Sequence, residues 1–272
     1  MQHKKIAFIG AGNMAFAIIS GLVKSGYPTN LISANNKSNQ IRREQLGSMG
    51  IIVDLSQREA VEQADLIILA VKPQLMAEVC AEFSDIDLSK KWVLSVAAGI
   101  SVTRLEQLLP SAKNIIRAMP NTPSLIGQGI SGLFAKKSVD RTACEFIESL
   151  MTFVGECYWV DTEERMNAII AITGSSPAYF FKFMEAMQQT AIKMGLSEKD
   201  ARFLVQNVAA GATQMVVANP NVSLATLREN VTSKGGTTAQ ALAVFDHYQL
   251  DKVVDEAMYA VIQRAKEMEQ SL

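Results

Sequence analysis

Histidine is nearly missing from this chain: His3 and His247 are the only two among 272 residues. Neither lies beside a cysteine or carboxylate cluster with ligand spacing, so the sequence points to no structural or catalytic metal. Cysteine is almost as scarce. Cys80, Cys144 and Cys157 are odd in number and lack CxxC spacing, and they read as buried thiols in a reducing compartment rather than a disulfide framework. A GxSxG turn and a GxxxxGK[ST] loop are both absent, which removes the usual footings of serine hydrolysis and phosphoryl transfer. Neither sign of charge dominates. Lys and Arg number 26 against 27 Asp and Glu, a net of -1, which leaves no basic surplus for nucleic acid. Apolar runs such as residues 66–71 fall far short of the roughly 20 residues that span a bilayer, so no membrane partner is expected. His3, Lys4 and Lys5 precede a short apolar run that Gly10 and Gly12 end too soon for a signal peptide, and a cytoplasmic protein is expected.

What is present is ample apolar material, 49% of residues with 19% charged, enough for a sizeable core and for two domains. Short apolar runs at residues 5–9, 31–34, 51–53, 66–70, 92–95 and 114–117 read as strands. Helical stretches alternate with them. One opens at Ser56 with Glu59 three residues on, a capping box, and another opens at Pro73. This rhythm predicts a parallel, doubly wound α/β sheet. Strands near 132–135 and 157–160, flanking a helix that begins near Asp140, complete it. After residue 161 the pattern is helical: 178–194, 198–218 behind Ser197, 224–231 after Ser223, and 251–269. The expected organisation is a dinucleotide-binding domain over residues 1–161 and an all-helical substrate and dimerisation domain over 162–272. Stretches such as 166–172 and 208–217 are apolar on more than one face, more than one packed face requires, which predicts a homodimer.

The sharpest local motif is Gly10-Ala11-Gly12-Asn13-Met14-Ala15, a G-x-G-x-x-A that follows a strand and opens a helix. In this setting it reads as a Rossmann turn rather than a merely Gly-rich one, with helix amides facing a pyrophosphate. An NAD-binding site usually ends its second strand in Asp or Glu. Here the strand runs into Asn35, Asn36, Lys37 and Ser38, with no carboxylate to repel a 2′-phosphate, so NADPH is favoured and NADH remains possible. The two asparagines could equally form only a turn.

Ligands gather beyond the C-terminal strand ends of such sheets. Those ends are Ala70-Val71-Lys72-Pro73, Ala97-Ala98-Gly99 and Met119-Pro120-Asn121-Thr122-Pro123. Small residues there leave room for a nicotinamide. Lys72 is either a cofactor contact or a solvated surface cation. In the second half, Ser233-Lys234-Gly235-Gly236-Thr237 reads as a two-glycine loop before a helix, either an interhelical turn or a nest of amides for a carboxylate.

These segments, with Gly174-Ser175-Ser176-Pro177-Ala178-Tyr179 and Val231 to Thr238, resemble in order the pyrroline-5-carboxylate reductases, over essentially the whole chain. The resemblance implies NAD(P)H-dependent reduction of a cyclic imine to L-proline by a dimer with intertwined helical domains, sometimes assembled further. It implies Asn35, Asn36, Val71, Lys72, Ala98 and Asn230 as cofactor contacts. It implies Ser233, Gly236, Thr237 and Thr238 as the substrate loop, with Glu163 as a further substrate contact. Gln57 stands where some members place a cofactor-facing Asn. A protonated imine is already electrophilic, so hydride transfer needs positioning more than a dedicated general acid, and Thr238 is the candidate to hold the ring nitrogen. A hydroxyacid dehydrogenase of similar build would instead need a catalytic Lys, for which Lys182 is the candidate, and a cofactor-binding protein without catalysis would need neither.

Overall fold

The computed structural model describes residues 3–36 and 39–271. Its elements run β1 (Ile6–Ile9), α1 (Asn13–Lys24), β2 (Ile32–Asn35), α2 (Gln40–Ser48), α3 (Gln57–Gln63), β3 (Leu66–Leu69), α4 (Met76–Ala81) and β4 (Trp92–Ser95). They continue α5 (Val102–Leu108), β5 (Asn114–Met119), β6 (Gly129–Ala135), α6 (Arg141–Met151), β7 (Gly155–Trp159) and α7 (Arg165–Ile169). The strands form one sheet in the order β2-β1-β3-β4-β5-β6-β7.

The middle strands are apolar throughout because helices cover both faces of the sheet. In β1, Ile6 and Phe8 enter one core with Ile18, Leu22 and Ile147, while Ala7 and Ile9 enter the other with Val61, Phe83 and Leu105. Parallel pairing aligns Ile6 with Ile32 on one side and with Leu66 on the other. Two local expectations need correction. Residues 51–53 are not a strand: they meet the sheet at a single bridge, Ser33 to Ile52, outside β2. Ile52 exchanges hydrogen bonds with Ile32 and Ala34, and Asp54 to Ser56 then turn into the capped α3 before a ladder can grow. The sheet is also not wholly parallel. β6 runs antiparallel to β5, because the short connection through Thr122–Ile126 cannot make the long crossover that parallel neighbours require.

Helix starts follow the side chains the sequence supplies. Ser56 and Glu59 form the reciprocal box at α3, and Asp140 accepts from the Thr142 N–H at α6. The helical remainder comprises α8 (Ser176–Lys193), α9 (Glu198–Ala218), α10 (Leu224–Asn230), α11 (Thr237–His247) and α12 (Leu250–Ser271). Ser197 and Ser223 cap α9 and α10.

Two compact units result. Residues Met1–Ser175 and Ala260–Leu272 make the first, and Ser176–Tyr259 the second. The chain therefore leaves the first unit once and re-enters it partway along α12. Within the second unit α8 packs on α9, and the Phe183 and Phe245 rings meet at 6.0 Å between α8 and α11. Much of its apolar surface is uncovered: Phe180, Phe181, Phe203, Val208, Val217 and Leu224 are all more than half exposed.

Candidate active site

In this sheet the strand order reverses at β1, whose neighbours are β2 and β3, so the loops after β1 and β3 border the crevice where ligands of open α/β sheets lie. Gly10 ends β1 with φ +93°, and a Cβ there would sit 2.7 Å from the Ala70 carbonyl oxygen and 2.8 Å from Val71 Cγ1. Only glycine meets both demands, so the first glycine holds Ala70-Val71 against the β1 loop. Gly12 is the N-cap of α1 and offers no side-chain cap, and nothing lies within 4 Å of where its Cβ would point. The first-turn amides of α1 thus face open space, a cradle fitted to a phosphate. Ala11, Asn13 and Met14 complete that turn. Lys72 is exposed ahead of the Pro73–Leu75 turn, while Ala97 is buried and Ala98 half-buried beyond β4.

At the end of β2 the amides shape the loop. Asn35 Nδ2 donates to the Leu55 carbonyl at 2.8 Å, and Asn36 Nδ2 donates to the Ala11 carbonyl at 3.2 Å. Asn36 thereby ties the end of β2 to the β1 loop. Lys37, expected beside it, lies outside the described residues.

Two residues of this corner, Arg42 and Gln57, have a geometry that their place in the sequence does not disclose. Arg42, in the first turn of α2, places its guanidinium 4.0 Å over the Phe16 ring and donates to Asn13 Oδ1 at 3.0 Å. Gln57 is buried at the start of α3, two residues beyond the carbonyl that Asn35 holds, and its Oε1 has no hydrogen-bond partner among the described residues. Arg42 could have been flagged, since a cation in a helix's first turn opposes the dipole there. The buried placement of Gln57 is a tertiary matter that a polar residue after a capping Ser does not disclose.

The Met119 to Pro123 segment meets residues 173–175 through Asn121. Its Nδ2 donates to the Thr173 carbonyl at 3.1 Å and its Oδ1 accepts from the Ile130 N–H at 3.0 Å. Residues Ile170–Gly174 form a π-turn closed by the Ser175 N–H on the Ile170 carbonyl at 2.9 Å. That widened turn joins α7 to the helix that begins at Ser176. Glu163 is drawn into the first unit, where it accepts from the Val102 N–H at 2.7 Å and pairs with Arg117 of β5.

In the second unit Asn230 ends α10 and is exposed. Gly236 N–H closes a turn on the Ser233 carbonyl at 2.9 Å, with Gly235 at φ +74°. A Cβ on Gly236 would run into Ser233 Oγ. Thr237 and Thr238 are the first two residues of α11, whose N-cap Gly236 brings no side-chain cap, and both are exposed. Among the described residues neither hydroxyl is hydrogen-bonded within the fold, so uncapped amides and two hydroxyls face outward together. Lys182 is exposed and paired with Glu185 at 2.8 Å, the arrangement of a surface lysine.

Comparison with known proteins covers both units. Residues 163–268 match the family model described as pyrroline-5-carboxylate reductase dimerisation, and residues 5–99 match one described as NADP oxidoreductase coenzyme F420-dependent. The chain is 50% identical over 269 residues to the pyrroline-5-carboxylate reductase of Haemophilus influenzae, covering 99% of each. A solved pyrroline-5-carboxylate reductase from Coxiella burnetii superposes with a TM-score of 0.90 at 38% identity, covering 98% of this chain and 99% of that one. A Plasmodium falciparum pyrroline carboxylate reductase solved with NADP bound gives a TM-score of 0.88 at 26% identity, covering 99% of each chain.

Proposed function

The chain belongs to the pyrroline-5-carboxylate reductase family, and on that premise we propose that it reduces the cyclic imine 1-pyrroline-5-carboxylate to L-proline with NADPH, NADH serving as a possible alternative. The observation that carries this reading is the start of α11, where uncapped amides and two hydroxyls converge on one small, outward-facing loop. A five-membered ring bearing one carboxylate and one protonated C=N group asks for such a pair of functions.

The division of labour follows from the residues. Gly10, Gly12 and the first turn of α1 seat the pyrophosphate, with Asn13 and Met14 in that turn. Asn35 and Asn36 shape the loop around the adenosine ribose. Ala70, Val71, Lys72, Pro73, Ala97 and Ala98 border the nicotinamide half, and Asn230 is the further cofactor contact that the family resemblance implies. NADPH, when bound, supplies the hydride. The amides of Gly235 and Thr237 with the Ser233 hydroxyl hold the substrate carboxylate, while the Gly236 N–H, bonded to the Ser233 carbonyl, keeps the loop turned. The Thr238 Oγ1 accepts from the iminium N–H and fixes the C=N carbon for attack. The carbon gains the hydride while nitrogen keeps its proton, which leaves a secondary amine with no need for a general acid.

The exposed apolar helices of the second unit and the dimerisation model support a homodimer, with assembly into a higher oligomer of dimers as the further possibility the family offers. Among the described residues no helix is long and apolar enough to cross a membrane. The three free thiols agree with a cytoplasmic site of action. The deciding experiment follows NADPH oxidation at 340 nm. Oxidation with 1-pyrroline-5-carboxylate and none with 2-hydroxy or 3-hydroxy acid partners is the expected result; the reverse pattern overturns the reading.

A further inference from the structure

We infer that Arg42 is the group that reads the adenosine 2′-phosphate and so sets the preference for NADPH over NADH. This inference rests on the dinucleotide-binding reading above and goes further, because it assigns a specificity role to a residue outside the glycine turn and outside the asparagine loop. Three observations converge on it. The first is placement: Arg42 lies in the first turn of the helix that follows β2, the strand whose end carries the group that recognises the ribose in such sheets. Its side chain reaches back across the crevice to Asn13 in the β1 loop, 29 residues away in sequence.

The second observation concerns what holds the side chain. The guanidinium carbon lies over the Phe16 ring, 4.0 Å from its centre, and the group donates one N–H to Asn13 Oδ1 at 3.0 Å. Both partners are neutral, so they orient the group without compensating its charge. Its neighbour Arg43 takes the ordinary course, turning away to pair with Asp54 at 2.8 Å. A guanidinium has five N–H donors in a planar fork, and stacking on an aromatic face leaves that fork oriented for a phosphate.

The third observation is electrostatic. Asn13 is the first helical residue of α1, so the cation is held beside the positive end of that helix's dipole as well as in the first turn of its own helix. Cations are disfavoured at both positions. A cation steadied there by neutral partners makes physical sense when an anion joins it. The pyrophosphate belongs to the amides of α1, and the asparagine side chains donate to Leu55 and Ala11 carbonyls. A second phosphate, on the ribose next to the end of β2, is the anion that Arg42 fits.

Binding separates this role from activity. Calorimetric titrations of the intact protein with NADPH, NADH, 2′,5′-ADP and 5′-AMP are run on the wild type, Arg42→Ala, Arg42→Lys and Arg43→Ala. In the wild type NADPH and 2′,5′-ADP bind tighter than NADH and 5′-AMP. Arg42→Ala weakens NADPH and 2′,5′-ADP by about tenfold to hundredfold, the size of one charge-assisted contact, and leaves NADH and 5′-AMP within about twofold. Arg42→Lys keeps the charge, loses the planar fork of donors and falls between. Arg43→Ala matches the wild type, and thermal melts establish that each variant is folded. An Arg42→Ala protein whose NADPH and NADH affinities fall together, or do not move, overturns the assignment while the dinucleotide reading stands. A wild type that binds none of the four ligands overturns the dinucleotide reading and this assignment with it.

Discussion

Arg117 and Glu163 form an ion pair inside the first unit, with the guanidinium side chain 3% exposed and the carboxylate 20%. Glu163 also receives the Val102 N–H at the first residue of α5, and Arg117 reaches Glu269 near the end of α12 at 3.4 Å. Four distant parts of the chain thus meet around one guanidinium. Removing Glu163 takes away the nearer carboxylate of this buried guanidinium but leaves Glu269 at 3.4 Å, so the loss falls below the about 3 to 5 kcal/mol of a fully orphaned buried charge. Glu163→Ala is therefore expected to lower stability in urea by about 1 to 3 kcal/mol at fixed protein concentration. Glu163→Gln, which keeps an acceptor for Val102, costs less. Equal midpoints for Glu163→Ala and the wild type would show that the pair contributes nothing to stability.

Thr238→Ala is expected to lower kcat/KM for the cyclic imine by roughly tenfold to hundredfold, the worth of a hydrogen bond to a charged group of about 1.5 to 3 kcal/mol. Affinity for NADPH should barely change. Because the N-cap of α11 is Gly236 and no side chain caps it, neither threonine substitution should cost the roughly 1 kcal/mol of a lost cap. Thr237→Ala keeps its backbone donor and should do less. Steady-state kinetics beside thermal melts check both; wild-type kcat/KM in Thr238→Ala removes that hydroxyl from the mechanism.

Gly10→Ala meets two obstacles at once, a φ of +93° and a Cβ 2.7 Å from the Ala70 carbonyl. The left-handed backbone alone costs an L-residue about 1 to 2 kcal/mol, and the clash pushes the β1 and β3 loops apart. Lower thermal stability and weakened NADPH binding, measured by nucleotide fluorescence, are expected together. A variant that binds NADPH as the wild type does contradicts the close approach described here.

Much of this was readable in the amino acids. The capping serines at 56, 197 and 223 and Asp140 announced their helices because a cap is a local interaction, complete within four residues. The buried strands of the first unit show as continuous apolar runs because both faces of the sheet are covered. What escaped was set by distant partners. Residues 51–53 have strand composition, yet only Ile52 has a neighbour to pair with. The reversal of β6 depends on connection length rather than on the strand itself. Nothing local in the sequence marks the partners of Glu163 and Arg42, whose geometry comes from residues 46 and 29 positions away. The glycine turn was legible as chemistry, whereas the contact that explains Gly10, with Ala70, was not.

The thiols give a pH dependence. Burial pushes Cys80 up to about 12 and Cys157, helped by Glu148 and Glu156, up to about 11, while burial also raises Cys144. Native thiols are then protonated at pH 8, and alkylation by iodoacetamide should be slow until denaturant is added. An unfolded thiol ionises near 8.5, below these folded values, so the stability this burial reflects is complete below that pH and is lost as pH rises towards 11 to 12. Unfolding midpoints measured from pH 8 to 10.5 should fall. Rapid labelling of Cys80 in the native protein at pH 8 would refute its burial.

Sedimentation at micromolar concentration should give at least a dimer, because side chains such as Phe180 and Phe203 are 67% and 60% exposed in the isolated chain. Replacing both by serine is expected to shift the equilibrium towards a 29.6 kDa species. An active wild-type monomer at that concentration is the outcome that removes the homodimer.

The re-entry of α12 bears on how the protein is made. During synthesis, at about 5 to 20 residues per second, an N-terminal domain ordinarily folds while the rest is still emerging. Here residues 260–272 belong to the same compact unit as β1, and Glu269 reaches Arg117 from the far end of the chain. The last strand of the sheet ends at Trp159, well before Leu250, where the helix that completes its unit begins. A ribosome must therefore have reached Glu269 before that unit can close, and a nascent chain stalled short of that residue leaves the guanidinium at the hub one carboxylate short.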